Sequence, residues 1–563
     1  MGSKSSMIRS GQTGPVMVEN TRRRFVGPVT SLIAAILVLV AGQELMAAEW
    51  QWCVPVPLVV SGETSDHPQA FLWIPPQCKQ VRGVVVGQHN MSEEGILEHP
   101  GFRRTLSKLD FAEVWVTPGF NMVFDFNQGA GGQFNRMMEA LATESGYGEL
   151  AFAPVVPIGH SAYASYPWNF AAWNPQRTLA VISVHGDAPL TNLTGSGRPN
   201  PDWEDRRIDG VPGLMVMGEY EWRDDRLAPT MAFRQKFPRS TVSLLADADH
   251  GHFDVSDQLV AYLCLFLEKA AHYRLPKQMP VDRPSELVPL DVCRGWLADR
   301  WQKDKLPRWP SAPYDRFTGQ RGEAFWYIDK QMARATEAYY AKSRGKAERY
   351  IGFKQNGTLL PFNPKSHARI VADFLPEDDG LTFTLKPVLT DSSRTKVCPL
   401  PAGTHIRVDR ICGPVQKIND TTFTVRFYRM GLNNPKRTAD IWLMASMEGD
   451  KEHKTSVQQV TLRIPYRFAQ GQTQQIRFDS LPDVNGKCRA MDLHASSSGG
   501  LPVHFYVKQG PAEIVGDRLT LTRIPPKAQY PVKVTVVAWQ HGQSHPSMVK
   551  TAGPVEQNFL IFK

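Results

Sequence analysis

The stretch VVPIGHSAYASYPWNFAAW, from Val155 to Trp173, decides the fold of the first half of this chain. An apolar run of strand character stops at Gly159, and a serine follows two residues later, where a helical segment begins. A strand, a tight turn and a helix in this order hold the Ser161 hydroxyl at the carboxyl edge of a sheet, with the backbone N–H of Ala162 beside it. Glycine permits such a turn because it has no Cβ to strike its neighbours. The pattern favours Ser161 as a nucleophile; the alternative is a serine that only caps the helix.

Strand-like and helix-like segments alternate from residue 49 to about residue 275. VRGVVVGQHN (81–90) is a continuous apolar run, typical of a strand buried on both faces, and QFNRMMEALATES (133–145) is typical of a helix. Such alternation predicts a mostly parallel sheet with helices on both faces. We therefore assign residues 49–275 to an α/β domain.

The segment GHSAYA (159–164), the order of the elements and two later loops resemble secreted serine esterases of the α/β-hydrolase fold. The resemblance covers residues 51 to about 275. In place of the second glycine of the usual G-x-S-x-G motif this chain has Tyr163. The chain order of the fold is serine, acid, histidine. The resemblance thus implies an acid after a later strand and a histidine before the closing helix.

Two candidates exist for each of these two residues. Glu221 follows the strand GLMVMG at the G-x-x-acid spacing of the family and is the preferred acid, whereas Asp187 ends the preceding strand and is the alternative. His252 and His250 both lie in the loop DADHGHFDVSD. His252 is the preferred base because a glycine precedes it and the phenylalanine after it can fix the ring by packing. The acid would hold the imidazole in the correct tautomer.

The loop VVVGQHNMSEEG corresponds to the place where this fold supplies a second oxyanion donor. We expect the backbone N–H of Asn90 or Met91 to complement that of Ala162. The candidate substrate-binding residues are His89, Trp203 and Trp222. The sequence shows no long lid insertion, which predicts an open, shallow pocket. The histidine loop lacks the spacing of a metal site, so we expect neither a metal nor a cofactor.

The second half of the chain has a different character. Proline, tryptophan and charged residues are frequent in residues 276–361, which we interpret as a connector with one helix. Short strands with frequent turns follow and predict β-sandwich modules at residues 362–470 and 471–563. SSGGLPVHFYV and GPAEIVGDRLTL make the last module resemble bacterial immunoglobulin-like domains. Since every candidate catalytic residue precedes residue 275, the second half is predicted to be separable from the chemistry.

Residues 1–48 have the three parts of a signal peptide: the cationic segment TRRRFVG, an apolar stretch, and small residues before a cut near Ala47 or Ala48. The apolar stretch is shorter than the ~20 residues that a membrane-spanning helix needs. Arg22 and Arg23 resemble the pair of the twin-arginine export signature. The alternatives are an ordinary secretion signal with an extra arginine and an N-terminal anchor that is not cleaved. We expect a bacterial protein that is periplasmic or secreted, with no stable membrane span after cleavage.

The net charge of +9 is spread along the 563 residues, which disfavours nucleic-acid binding and fits an anionic polysaccharide or cell-envelope glycan as partner. The seven cysteines show no metal-ligand spacing. The predicted function is hydrolysis of a carboxylic ester through an acyl-enzyme, with esterified polysaccharide as one substrate class. The alternatives are a serine peptidase and a non-catalytic adhesion protein that retains the fold. The acyl group, the alcohol, the disulfide pairing and the oligomeric state stay open.

Overall fold

The computed structural model describes residues 49–195 and 197–563. The predicted signal peptide, with Arg22 and Arg23, therefore lies outside the described residues. Within these two ranges, no helix combines the length and the apolar character that crossing a membrane requires.

An eight-stranded sheet organises the first part of the chain. Its strands are β1 (Trp52–Pro55), β2 (Gln69–Trp73), β3 (Gly83–Gln88), β4 (Phe111–Thr117), β5 (Val155–His160), β6 (Val181–Val184), β7 (Gly213–Gly218) and β8 (Val242–Asp247). They lie in the order β1-β2-β4-β3-β5-β6-β7-β8. Strands β3 to β8 are mutually parallel, and β2 pairs antiparallel with β1 and β4. Every residue of β3 to β8 is buried, as parallel strands covered on both faces require.

Six helices accompany this sheet: α1 (Glu93–Leu97), α2 (Pro100–Leu109), α3 (Ala130–Ser145), α4 (Tyr166–Trp173), α5 (Asp224–Lys236) and α6 (Asp257–Arg274). Alternate residues of β4 enter two separate apolar clusters, because side chains of a strand point to opposite faces. Trp115 shares one cluster with Phe102 of α2, and Val114 shares the other with Phe134 of α3. This mostly parallel sheet between helices confirms the predicted α/β-hydrolase fold class. The short helix α1 was not predicted.

The segment after α6 packs tightly on the first sheet. It contains the small antiparallel sheet β10-β9-β11, made of β9 (Trp296–Asp299), β10 (Ala312–Pro313) and β11 (Ala324–Tyr327), followed by helix α7 (Lys330–Ala341). The Ser243 hydroxyl donates to the Trp326 carbonyl, and the Tyr327 hydroxyl donates to the Leu244 carbonyl at 2.8 Å. The predicted connector held one helix, whereas the structure adds three strands that continue the core of the first domain.

Beyond α7 the chain is rich in β-strands, as predicted. The strands are β12 (Tyr350–Gln355), β13 (Thr358–Leu359), β14 (Val371–Ala372), β15 (Thr382–Thr384), β16 (Lys386–Thr390), β17 (Val397–Cys398), β18 (Arg407–Cys412), β19 (Val415–Lys417), β20 (Thr422–Val425), β21 (Asp440–Met447), β22 (Ser456–Arg463), β23 (Ile476–Phe478), β24 (Val484–Asn485), β25 (Ala490–Asp492), β26 (Ala495–Ser497), β27 (His504–Gln509), β28 (Ala512–Val515), β29 (Arg518–Leu521), β30 (Val532–Trp539) and β31 (Val555–Phe562). They form six sheets of mostly antiparallel strands. Strand β12 pairs with β16 although it precedes residue 361, so this sheet crosses the predicted end of the connector. The division into two modules, and the immunoglobulin-like character of the second, stay predictions.

Candidate active site

Ser161 follows β5 directly and lies in a strained backbone conformation. Its φ of +52° falls in the left-handed region, which residues other than glycine rarely adopt. The turn has no space for a side chain at residue 159, because a Cβ on Gly159 would lie 2.1 Å from the Tyr163 carbonyl oxygen. The local geometry is therefore the tight strand–turn–helix that the sequence predicts.

Tyr163, which replaces the second glycine of the usual motif, packs against the loop after β4 at Gly119. A Cβ built on Gly119, in the loop after β4, would lie 2.3 Å from the Tyr163 hydroxyl oxygen. The phenol ring is buried where that Cβ would be. A glycine at residue 119 thus accommodates the tyrosine that stands where the motif has a glycine.

The three residues preferred from the sequence form one hydrogen-bonded chain. His252 Nε2 lies 2.7 Å from Ser161 Oγ, and His252 Nδ1 lies 2.5 Å from Glu221 Oε2. His252 sits in the loop between β8 and α6, and Glu221 ends a short turn after β7. The ring of Phe253 meets the His252 ring edge-on, with ring centroids 4.7 Å apart. A histidine held in this way can take a proton from the serine while the carboxylate stabilises the imidazolium.

Arg226, in the first turn of α5, contributes a contact that the sequence analysis missed. Its Nη1 donates to Glu221 Oε2 at 2.7 Å. Burial opposes the charged form of Glu221, but His252 and this guanidinium outweigh it and lower the pKa of Glu221 to about 2. The carboxylate is therefore charged throughout the neutral range. The sequence indicated this contact only by the presence of a basic residue, Arg226, five positions after Glu221.

His250, the alternative base, pairs with a carboxylate instead of the serine. Its Nδ1 pairs with the carboxylate of Asp254, and both side chains are buried. Burial opposes protonation, but the carboxylates of Asp254 and Asp247 prevail and raise the pKa of His250 to about 9. An imidazole that is charged at neutral pH is unsuited to accept a proton.

Asp187, the alternative acid, has other partners than a histidine. Its Oδ2 accepts from the Thr194 backbone N–H at 2.8 Å and from the Thr194 hydroxyl at 2.7 Å. That hydroxyl also lies 2.8 Å from the Ser161 carbonyl oxygen. Asp187 therefore fixes the chain around the serine turn, while Glu221 faces the histidine.

The expected second oxyanion donors bind a protein carboxylate. The N–H groups of Asn90 and Met91 donate to Glu93 Oε2 at 3.2 and 3.1 Å, and the His160 N–H donates to Glu93 Oε1 at 2.7 Å. Burial raises the pKa of Glu93 to about 7, against these N–H contacts, which lower it. Both N–H groups contact Glu93 in this structure because α1 begins at Glu93 and its side chain lies against the preceding loop, and their role as oxyanion donors stays a prediction.

The three candidate substrate-binding residues differ in burial. His89 and Trp203 are 4% and 5% exposed, and the Trp203 indole N–H donates to Asn169 Oδ1 at 2.8 Å. Both side chains are therefore almost entirely covered by protein, and their contact with substrate stays a prediction. Trp222 is half-buried and packs on Trp301, with ring centroids 4.6 Å apart.

Residues of the C-terminal half border the histidine loop instead. The ring centroid of Phe253 lies 5.1 Å from that of Trp442 on β21 and 4.9 Å from that of His367. The His367 ring is also 6.2 Å from that of His252. We call Phe253, His367 and Trp442 the aromatic wall. Met91 of the oxyanion loop packs into the same apolar cluster.

A second contact joins the C-terminal half to the loops that follow β7 and β8. Lys454 Nζ lies 2.6 Å from Glu219 Oε1, and the two side chains are 1% and 0% exposed. The Tyr220 hydroxyl donates to the Thr455 carbonyl at 2.7 Å, and the Thr455 N–H donates to Asp249 Oδ2 at 3.2 Å. We call Lys454 and Thr455 the latch. The latch contacts both the loop that contains Glu221 and the loop that contains His252. No local pattern in the sequence predicts these contacts.

Comparisons with known proteins give fold likenesses only. No family model matches the chain, and no curated protein matches it. Similar solved structures include dienelactone hydrolase from Anabaena variabilis ATCC 29413 (16% identity, 41% of this chain and 100% of that chain, TM-score 0.26). EstE1, a carboxylesterase cloned from a metagenomic library, is 16% identical over 44% of this chain and 99% of its own, with a TM-score of 0.29. A ferulic acid esterase is 14% identical over 40% of this chain and 99% of its own, also with a TM-score of 0.29.

Among residues 49–195 and 197–563, no three His, Cys, Asp or Glu side chains cluster in a way that suits a metal ion.

Proposed function

We propose that this protein is a serine hydrolase that cleaves carboxylic esters, with Ser161 as nucleophile, His252 as general base and Glu221 as the acid that holds the base. The observation that carries the proposal is the hydrogen-bonded chain from Ser161 Oγ through both ring nitrogens of His252 to Glu221. The left-handed backbone at the serine supports it, because such strain persists where the surrounding structure imposes it.

In the proposed reaction His252 Nε2 takes the proton of Ser161 as Oγ attacks the ester carbonyl. The tetrahedral intermediate collapses as the imidazolium gives that proton to the leaving alcohol, and an acyl-enzyme remains. Water then enters, loses a proton to His252 and attacks the acyl carbonyl. The second tetrahedral intermediate collapses as its bond to Ser161 Oγ breaks and the imidazolium returns the proton to Oγ, which releases the carboxylic acid and restores the free enzyme. Glu221 keeps the proton of His252 on Nδ1 and stabilises the imidazolium in both halves of the cycle.

We assign the first oxyanion donor to the backbone N–H of Ala162, which follows the nucleophile. The N–H of Met91 becomes the second donor when Glu93 releases it. A carboxyl group with a pKa of about 7 gains a proton readily near neutrality, and a neutral acid accepts hydrogen bonds less strongly than a carboxylate. The oxyanion of the intermediate then competes for this N–H on better terms.

The aromatic wall points to the substrate class. An apolar or aromatic group of the ester, next to the scissile bond, can pack on Trp442 and His367 while the carbonyl meets Ser161. Polysaccharide esters with aromatic acyl groups have this chemistry. Trp442→Ala should raise KM for an aryl-acyl ester at least about tenfold, the value of ~1.4 kcal/mol of lost packing. The same variant should leave KM for the acetyl ester of the same alcohol unchanged. Trp309→Ala, a half-buried tryptophan of the connector, is the matched control.

The decisive experiment is labelling with a fluorophosphonate probe. The wild type should be labelled and should hydrolyse small aryl esters, and Ser161→Ala should lose both properties while keeping its thermal unfolding midpoint. An unlabelled wild type that is folded would reject the proposal in favour of a non-catalytic binding protein. Turnover of peptide anilides in preference to esters would instead favour the peptidase.

We further propose that the protein is exported through its N-terminal segment, which contains Arg22 and Arg23. Replacing both with lysine should leave precursor in the cytoplasm. Normal export of the double-lysine variant would contradict the twin-arginine route and favour general secretion.

A further inference from the structure

Two buried imidazoles converge on one backbone atom of the proposed base. His185 Nδ1 lies 2.8 Å from the carbonyl oxygen of His252, and His160 Nε2 lies 2.7 Å from the same oxygen. Both rings are fully buried. This carbonyl belongs to the residue whose ring must meet Ser161, so its position sets the position of that ring.

The second nitrogen of His185 faces an acceptor as well. Its Nε2 lies 3.1 Å from Asp247 Oδ2, and the other oxygen of that carboxylate accepts from the Tyr339 hydroxyl on α7. A backbone carbonyl and an ionised carboxylate accept hydrogen bonds and cannot donate them. Both ring nitrogens of His185 must therefore carry a proton, which makes the ring an imidazolium enclosed in the protein.

His160 differs in this respect. Its Nδ1 lies 3.3 Å from the side-chain nitrogen of Asn90, which is a donor. A neutral His160 with its proton on Nε2 satisfies both contacts. Two imidazoles contact the His252 carbonyl. Only His185 needs a proton on both ring nitrogens to keep its contacts, since His160 keeps its contacts with one.

The backbone of His185 is held under strain. It follows β6 with φ of +43°, in the left-handed region that residues other than glycine rarely adopt. Such a conformation persists only where the surroundings determine it. The contacts to Asp247 and to the His252 carbonyl are the ones that hold the ring at this place.

The charged groups around His185 favour its protonated form. Burial opposes the charge, but Asp247 on β8 and Glu221 after β7 outweigh it and raise the pKa of His185 above its ordinary value. His252 and His160 are the other titratable rings that face it. The contact is therefore complete below this raised pKa and is lost as the pH rises through it.

We propose that His185 is a positioning residue, which as an imidazolium between Asp247 and the His252 carbonyl fixes the histidine loop so that the His252 ring meets Ser161. The inference rests on the proposed hydrolase function. When His185 loses one proton, the other stays on Nε2, since the carboxylate is the stronger acceptor. The lone pair of Nδ1 then faces the lone pairs of the carbonyl oxygen, and the loop moves away.

Asp247→Asn separates the charge from the geometry. The amide oxygen still accepts from Tyr339, the amide nitrogen donates to Nε2 of a neutral His185, and Nδ1–H donates to the His252 carbonyl at every pH. We expect the wild-type kcat to fall at least about tenfold as the pH rises through the raised pKa of His185, whereas the variant should lack this alkaline decline. Asp254→Asn, which neutralises the partner of the other buried histidine, should retain the decline and is the matched control.

His185→Gln can make only one of the two contacts. It should lower kcat by about 10²-fold at every pH, the cost of a displacement of about 1 Å at the reacting groups, with little change in KM. Protein labelled with ¹⁵N-histidine provides a readout that needs no turnover: His185 should show two ring N–H signals at neutral pH, and Asp247→Asn should show one.

Parallel alkaline pH profiles for the wild type and Asp247→Asn would overturn the inference. A single ring N–H signal from His185 in the wild type would overturn it as well. If the wild type fails to react with the fluorophosphonate, the proposed function falls, and the two-signal test still decides the state of His185.

Discussion

Lys454→Met should destabilise the protein strongly although the residue lies about 200 positions from the catalytic loops in sequence. The ammonium group is the nearest cation to the buried carboxylate of Glu219, at 2.6 Å, and also lies 2.9 Å from Asp304. Methionine fills a similar volume but leaves Glu219 with Lys303, a half-exposed cation 3.6 Å away. Removing one partner of a buried ion pair costs ~3–5 kcal/mol. Because Lys303 compensates in part, we expect about 3 kcal/mol, which is more than 10²-fold in the unfolding equilibrium.

The same substitution should lower activity. Glu219 Oε2 accepts from the Asp249 N–H at 3.0 Å, so an uncompensated Glu219 disturbs both the acid loop and the histidine loop. We expect kcat for an aryl acetate to fall about tenfold or more with a smaller change in KM, since the geometry of the reacting groups suffers more than binding. Unfolding in urea, followed by tryptophan fluorescence, gives the stability change, and initial rates give the kinetics.

A second substitution makes the test specific. Glu219→Gln in the Lys454→Met background removes the unpaired charge and should recover at least half of the lost stability. Lys451→Met, at an exposed lysine nearby, should be neutral. The reasoning is refuted if Lys454→Met changes the free energy of unfolding by less than about 0.5 kcal/mol, or if the double variant is no more stable than the single one.

Three further predictions concern the candidate site. His252→Ala should cost about 10⁶ in kcat, as much as losing the nucleophile, because members of such a group act as a unit, whereas His250→Ala should cost less than about tenfold; the reverse order would exchange the two histidines. Glu221→Gln should lower kcat by about 10⁴. The pKa of Glu221 is lowered to about 2, so in the folded protein this carboxylate loses its charge only as the pH falls toward 2. The ratio of the wild-type kcat to the Glu221→Gln kcat should therefore stay constant from pH 5 to 8. A chain ended at residue 361 lacks the latch and Trp442, and we expect it to be inactive on small esters and prone to aggregate; full activity would restore the view that the second half is separable.

The sequence alone predicted the features that local patterns determine. The order of strands and helices follows from periodicity, and the turn at Ser161 follows from an apolar run that stops at Gly159. The preference for His252 over His250 rested on neighbours within the same loop. The structure brings the preferred residues together, at the end of a parallel sheet of the predicted class.

Other features depend on packing between distant segments and could not be predicted in this way. Whether an aromatic residue such as Trp203 is buried or lines a cleft is decided by the elements that cover it, and these are not its neighbours in sequence. The donors of the oxyanion loop depend on the direction of one side chain, that of Glu93, at the start of a helix of five residues. Trp442 and Lys454 reach the site only because the C-terminal sheets fold back onto the first domain.

The space shared by Tyr163 and Gly119 makes these two positions interdependent. Adding a methyl group at residue 119 collides with the phenol, whereas trimming the phenol leaves a void behind the nucleophile. Each substitution alone is therefore harmful, and an exchange of bulk between the two positions is the compatible change. For sequence searches, the turn at Ser161 therefore has a signature in two parts. One part is the TPG tripeptide at the end of β4, and the other is GHSAY at the end of β5. A search limited to the contiguous motif around Ser161 omits the glycine on which the place of Tyr163 depends.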